Sequence, residues 1–374
     1  MSYKLLLPII LSITLSVLLS QEHVISFERN MLDSGITSLY NLEYEKSIKY
    51  FEEYKEINPK NSVVHFVLIA AKWQNSQMNE GYEKSYQVLN EEVDKVVPIY
   101  EALIDEYPDN SEYVLYLGSS YGLKARIALA KKEWMNVVYS GLQGYRYIRK
   151  AQSMSPGLLD IYTPIGIMEY FASQTSKPVQ VISDILGIGS SSENALINLE
   201  RAALSKGYSW MEASNVLTYA YLHFQRDYEK ALYWITPLVE KYNKNPYFAL
   251  LKLETLAKMK RWEEVDKVLP KMERYTQNGS YLQKNECQLK INYIKALQAF
   301  DNNNLQLVLE LTSWNIENYH MEMDWLLGFS HLLRGKSYDR LGNYKNAKLD
   351  YQSTVKINVN YPEEDEAKQL EQYL

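Results

Sequence analysis

The sequence predicts an all-α fold, a solenoid of repeated helix-turn-helix units, on three observations. An aromatic residue stands three places before a small or β-branched one, with further apolar positions four and then three residues on. This happens at Tyr44/Ser47/Phe51/Tyr54, Tyr228/Ala231/Ile235/Leu238, Trp262/Val265/Leu269/Met272 and Tyr344/Ala347/Tyr351/Thr354. Steps of three and four fall on one stripe of an α-helix, and recurrence of one stripe marks a supersecondary unit used repeatedly. Pro and Gly fall mainly between the periodic runs, where Pro59, Pro108, Pro156 and Pro246 adjoin Asn, Asp, Ser or Lys as turns require. No stretch holds apolar/polar alternation for long between turn signals, so no strand is expected.

With 374 residues and 46% hydrophobic content the chain can bury a large core. Length alone suggests two or three compact domains, but a solenoid grows without a domain break because each unit contacts its neighbours. The net charge is -6, and Lys and Arg read as spread through the helices, so no nucleic-acid partner is expected. The 33 Tyr suit helical repeats, where a ring packs and its hydroxyl stays at the wet edge. Cys287 is the only cysteine, which excludes an intrachain disulfide and reads as a buried structural thiol.

Along the chain, residues 1–20 begin with Met1-Ser2-Tyr3-Lys4, continue as an apolar run from Leu5 to Leu19, and end at Ser20 before Gln21-Glu22. A basic start, a run short for a bilayer span and a small residue before a polar stretch describe a signal peptide, and place the protein in a bacterial periplasm or envelope. The alternative is an uncleaved anchor, because Leu18 is a poor residue two places before a cut after Ser20. Residues 21–156 read as N-terminal repeats with lengthened helices. The first unit, 28–61, carries Gly35, Ser47, Phe51, Tyr54 and Pro59; later second helices carry Val96/Tyr100/Leu103/Pro108 and Gly144/Ile148/Ala151/Pro156. Gly118 precedes Gly144 by twenty-six positions where Gly35 precedes Ser47 by twelve, which implies long helices near 111–131 and 133–154. Pro98, inside a periodic run from Tyr82 to Tyr107, should end one helix and begin another or kink a long one.

Residues 157–210 form an irregular repeat with an insert at 176–192. Lys177-Pro178 should stop a helix, Val179 to Leu186 form a short amphipathic one, and Gly187-Ile188-Gly189 turn into a helix capped by Ser191 or Ser192. The stripe then resumes at Ala195/Leu199/Ala202/Gly207. Residues 211–359 are C-terminal repeats. They include a degenerate unit near 287–323 with Ala296, Ala299, Val308 and Thr312, and a last unit with Gly335, Tyr338, Gly342-Asn343-Tyr344, Ala347 and Tyr351. Residues 360–374 read as a capping helix, opened by Pro362 and the acids Glu363 to Glu366 at the positive end of the helix dipole. The total is about eight units.

The Gly-aromatic pair on first helices and the small, aromatic, small, Pro series on second helices resemble the tetratricopeptide repeat. Residues 157–250 bear a weaker resemblance to the fungal mitochondrial outer-membrane inclusion-body-clearance tetratricopeptide family, carried by Gly166, Ile167, Tyr170, the Pro-containing insert and Leu186-Gly187. The first resemblance implies a right-handed superhelical solenoid whose first helices line a concave groove for a protein or peptide. The register of Gly and small residues then places Val216, His223 and Phe224, Tyr247, Leu250, Glu254 and Lys258, and Phe329, Leu332, Lys336, Asp339 and Arg340 on that groove. This mixture of aromatic and charged groups suits an extended peptide or a helix.

Chemistry finds no foothold in the sequence. Gly187-Ile188-Gly189 lacks the preceding strand and third glycine of a dinucleotide loop. His320, Glu322 and Asp324 alternate and so point to different sides of a helix, which excludes convergence on one metal. No Gly-x-Ser-x-Gly elbow occurs. No catalytic residue, cofactor, metal or small-molecule ligand is therefore expected. The reading is an exported, non-enzymatic protein-interaction scaffold. The alternative is a membrane-associated structural component of the envelope, tethered by the N-terminal segment or the 179–188 insert.

Overall fold

A computed structural model describes residues 29–174, 187–189, 191–205, 207–358 and 360–374, the side chain of Trp134 excepted. The expected signal peptide and the short helix from Val179 to Leu186 lie outside the described residues. Within them the chain is helical throughout and contains no strand. Residues 29–40 form α1, followed by α2 (Tyr44–Ile57), α3 (Ser62–Glu80), α4 (Tyr82–Glu106), α5 (Ser111–Ala130) and α6 (Trp134–Met154). Next come α7 (Tyr162–Ser173), α8 (Ser192–Ala203), α9 (Trp210–Tyr219), α10 (Tyr228–Lys241), α11 (Pro246–Lys258) and α12 (Trp262–Met272). The chain ends with α13 (Tyr281–Asp301), α14 (Leu305–Glu317), α15 (Trp325–Arg340), α16 (Tyr344–Ile357) and α17 (Pro362–Gln372). Successive helices pack as hairpins and each hairpin packs on the next, the arrangement of a helical-repeat solenoid.

The aromatic-small stripes become the hairpin interiors. Ser47, Phe51 and Tyr54 are buried, as are Ala231, Ile235 and Leu238, and Val265, Leu269 and Met272. Small residues sit where paired helices approach most closely. A Cβ on Gly35 would lie 2.4 Å from the Phe51 ring, and Ser47 Oγ donates to the Gly35 carbonyl at 2.8 Å. Gly118 and Gly144, twenty-six residues apart, face each other directly: a Cβ on Gly118 would meet the Gly144 carbonyl oxygen at 2.8 Å. The helices α5 and α6 are accordingly long, as their spacing predicts. Pro98 lies inside α4, which runs on through it.

One turn recurs between paired helices. Leu42, Lys132, Arg226, Lys260, Asn303 and Gly342 have φ between 53° and 75°, and each stands two residues before a second helix that opens with Tyr, Trp or Leu. The left-handed residue reverses the chain in minimum length, which glycine does without strain and the others tolerate singly. Returning turns use Asn caps: Asn61, Asn110 and Asn245 each accept a backbone N–H from the first turn of α3, α5 and α11.

The solenoid also closes on itself. α3 packs against α13, and the buried cluster of α1 to α5 is continuous with Met211, Ile235, Leu238, Tyr242 and Phe248. Tyr40 lies 5.0 Å from the Tyr242 ring, and its carbonyl accepts from Asn245 Nδ2 at 2.7 Å. Lower on the seam Tyr82 donates to Glu286, Tyr86 donates to Glu322 at 2.5 Å, and Arg126 pairs with Glu322. α17 packs on the last hairpin through Ala367, as a cap would. It also reaches across the inner face, where Glu363 and Glu366 each accept from Arg226 at 3.1 Å.

Candidate functional site

The inner face of the C-terminal hairpins is a filled core. α9 continues as a π-helical turn, Ala220–Gln225, before Arg226 reverses the chain. The wide turn aims His223 and Phe224 inward. His223 packs 4.9 Å from Trp325 and 5.4 Å from Phe329, while Phe224 stacks on Tyr361 at 4.6 Å. Lys258 Nζ donates to the Tyr293 hydroxyl at 2.9 Å and lies 5.5 Å above the Phe329 ring. Aromatic faces and a hydroxyl thus replace water around an ammonium in the interior.

Of the residues that the repeat register places on one face, the structure brings His223, Phe224, Glu254, Lys258 and Phe329 together. They face one another across the superhelix, and His223, Glu254 and Phe329 are 2 to 3% exposed. Leu250 belongs to the interior of the next hairpin beside Cys287 and Ile291, and Leu332 packs with Ala347, Tyr351 and Ala367. Val216 is half-buried against Leu199 and Leu217 in a separate cluster. Lys336 pairs with Glu366, Asp339 accepts from the Tyr351 hydroxyl at 3.5 Å, and exposed Arg340 lies over the Phe300 ring at 3.8 Å. Tyr247 is half-buried and directs its hydroxyl to the Met78 sulfur at 3.7 Å, on the seam.

Burial dominates the electrostatics of the inner core. Glu254 Oε1 has no hydrogen-bond partner and stands 3.8 Å from His223 Nδ1. Loss of water raises the Glu254 carboxyl to about 7, although Lys258 and Lys290 pull it down. Burial lowers the His223 imidazole well below its ordinary value, and Lys258 and Lys290 lower it further. Burial likewise pushes the Cys287 thiol up to about 12, so it is neither thiolate nor accessible. Among the described residues no group of three or more His, Cys, Asp and Glu is placed to hold a metal ion.

The open space lies at the seam. A cleft of about 570 Å³ is bounded by the α1–α2 turn, the C-terminal half of α3, Lys244 before α11, and Tyr275 to Gln283. Four carboxamides line it: Asn41, Asn75, Asn79 and Gln283. Tyr44, Met78 and Tyr275 supply apolar surface. Glu43 is held below the usual carboxylate range by hydrogen bonds from Lys244 and Lys46, at 2.5 and 3.2 Å. Asn79 Nδ2 donates to Asn75 Oδ1 at 3.0 Å, so the α3 pair is held in fixed orientation. A carboxamide carries the same donor and acceptor as a peptide bond, and four in one cleft match an extended main chain. The repeat register gave no hint of these four, which come from three elements far apart in sequence. Asn75 and Asn79, one turn apart on the polar second half of α3, are the one local signal of them.

No family model and no curated protein matches the chain. Solved structures do match, at low identity. The human IFIT1 dimer with PPP-AAAA is 13% identical over 84% of this chain and 68% of that chain, with a TM-score of 0.33. Yeast Tom70 is 10% identical over 93% of this chain and 95% of that chain, with a TM-score of 0.26. The P58(IPK) TPR domain is 12% identical over 92% of this chain and 97% of that chain, with a TM-score of 0.25. The chain is an all-α helical-repeat protein whose repeats resemble the tetratricopeptide repeat, and a tetratricopeptide domain stands among its structural neighbours.

Proposed function

We propose that this protein is a non-enzymatic protein-interaction scaffold, exported to a bacterial envelope, that holds an extended peptide segment of a partner in the seam cleft. The observation that carries the reading is the set of four carboxamides around an open, partly apolar cleft of about 570 Å³. Tyr44 and Tyr275 give side-chain purchase, and the Glu43, Lys46 and Lys244 group gives a charged rim of both signs. Peptide grooves combine main-chain hydrogen bonding for affinity with side-chain pockets for specificity. Export rests on the residue 1–20 pattern, and N-terminal sequencing of the mature chain should then find a start near Gln21.

Selection of a random peptide library on the purified chain tests the cleft. The expected outcome is an enriched peptide set whose affinity falls at least about fivefold in an Asn75→Ala, Gln283→Ala variant, since two lost hydrogen bonds are worth roughly 1 kcal/mol or more together. Enriched peptides that bind the variant equally, or no enrichment, would remove the reading.

A further inference from the structure

The outer face of α6 carries an apolar patch that runs into a basic row, and among the described residues nothing covers it. Met135, Val138 and Tyr139 are 83, 51 and 70% exposed, and Leu129 at the end of α5 is 42% exposed beside them. Leu142 continues the apolar stripe one turn on. Arg146, Arg149 and Lys150, all exposed, then occupy the same side of the helix, because positions 135, 138, 139, 142, 146, 149 and 150 follow the 3.6-residue period. The opposite side, with Ser140, Tyr145, Ile148 and Ala151, is buried in the α5 and α7 packing. Exposed Lys131 and Lys132 stand in the turn at the apolar end.

Charge is therefore less evenly spread than the sequence reading holds. Residues 131–154 contain five basic side chains and one acid, Glu133, in a chain whose net charge is -6. The nearby ion pairs engage Lys124 and Arg126, and among the described residues no acid pairs with any of the five. An exposed row of unpaired cations repels itself unless an anionic surface faces it.

We propose that this face docks on an anionic lipid surface, with Leu129, Met135, Val138 and Tyr139 entering the headgroup boundary and the five cations lying on the headgroups. An apolar stripe bordered by Lys and Arg on one helix is the pattern of interfacial association. At about 1.5 Å per residue the helix is roughly 30 Å long, and its exposed Arg146, Arg149 and Lys150 make it a line of contact along the surface rather than a span. No helix of the described residues is long and apolar enough to cross a membrane. Apolar side chains this exposed favour lipid over a nucleic acid, which would use the basic row and leave Met135 and Val138 in water. The surface lies away from the seam cleft, so this proposal stands or falls independently of the peptide reading.

Co-sedimentation of the full chain with vesicles tests it, using phosphatidylcholine alone and an equal mixture of phosphatidylcholine and phosphatidylserine. Binding should be strong on the anionic vesicles and weak on the neutral ones. The Arg146→Gln, Arg149→Gln, Lys150→Gln variant should lose about a hundredfold in partitioning, at roughly fivefold for each cation. Met135→Ser with Tyr139→Ser should also weaken binding, and both variants should keep the wild-type far-ultraviolet circular dichroism because all five positions are exposed. The N-terminal apolar run is present in every variant and cannot account for these differences. Hydrogen exchange gives a second readout: amides of residues 135–146 should be protected by anionic vesicles. Equal binding by all variants, unchanged exchange in α6, or binding to duplex DNA with none to vesicles would overturn the proposal.

Discussion

Two kinds of glycine separate backbone from packing. Gly342 has φ +75° and open space around its Cβ position, so Gly342→Ala should cost only the left-handed penalty, about 1 kcal/mol. Gly118 has an ordinary helical backbone, but a Cβ there would press on the Gly144 carbonyl oxygen and the Ile148 nitrogen at 2.8 and 3.0 Å. Backbone cannot yield as a side chain can, so Gly118→Ala should cost more, roughly 2–3 kcal/mol. Urea denaturation of the two variants checks the order, and a smaller loss for Gly118→Ala would contradict the close helix crossing. Glu254 supplies a residue-scale prediction in pH. Its carboxyl rises from 4.5 to about 7 on folding, so the folded state holds a proton that the unfolded state releases. That contribution is present below pH 4.5 and is lost as pH rises towards 7. His223 acts in the opposite sense, because its folded value is lowered: stability is lost as pH falls below 6.5. Glu254→Gln should therefore stabilise the protein at pH 8 by roughly 1–3 kcal/mol and remove the loss of stability that this carboxyl causes between pH 4.5 and 7. Thermal melts at pH 6 and 8 decide it, and a variant less stable than wild type at pH 8 would refute the buried-carboxyl account.

At the scale of elements, what the sequence makes legible is what is local. Ser47, Phe51 and Tyr54 can be assigned to a helix interior because their spacing alone places them on one face, and they are buried there. The lengthened α5 and α6 follow from the Gly118 to Gly144 interval, and Ser191 caps α8 by accepting from Asn194 N at 3.3 Å. The hairpin turns carry a further local signal. The left-handed residue followed by a cap and an aromatic or Leu, seen at Lys260-Arg261-Trp262 and Asn303-Asn304-Leu305, marks hairpin turns as clearly as Gly342-Asn343-Tyr344 does. The inner face was legible only by halves. Register brings His223, Glu254, Lys258 and Phe329 to one side of their helices, but whether that side meets solvent or another helix depends on superhelical pitch, which no single helix encodes. The π-turn at Ala220–Gln225 adds to this, because the wider turn shifts His223 and Phe224 round the helix from the places an α-helical register gives them. The four carboxamides of the cleft share no single period, since the α1–α2 turn, α3 and α13 bring them together through tertiary closure.

Closure sets how the whole molecule should unfold. In an open solenoid stability is a sum of units and nearest-neighbour interfaces, so distant units can come apart separately. Here Asn245 joins two ends: its Oδ1 caps α11 by accepting from Tyr247 N at 2.9 Å, and its Nδ2 donates to the Tyr40 carbonyl, 205 residues away, at 2.7 Å. The Tyr40 ring stands against Tyr242 and Phe248, and Lys244 pairs with Glu43 at 2.5 Å. The exposed ion pair adds little, and the buried rings with the buried amide carry the seam. Asn245→Ser keeps a cap acceptor while removing the donor to Tyr40, so it tests the seam without unwinding α11. Combined with Tyr40→Ala it should loosen both faces at once, because each supplies the other's packing. Hydrogen exchange should quicken in α1 to α3 and equally in α10 and α11, and where closure gives the wild type one denaturation transition, the variant should show two. If exchange quickens in α1 and α2 alone, the ends are not coupled and the molecule behaves as an open array. If it quickens on both faces, the cleft between them is a joint product of the two halves, and loosening the seam should weaken peptide binding even with Asn75, Asn79 and Gln283 intact.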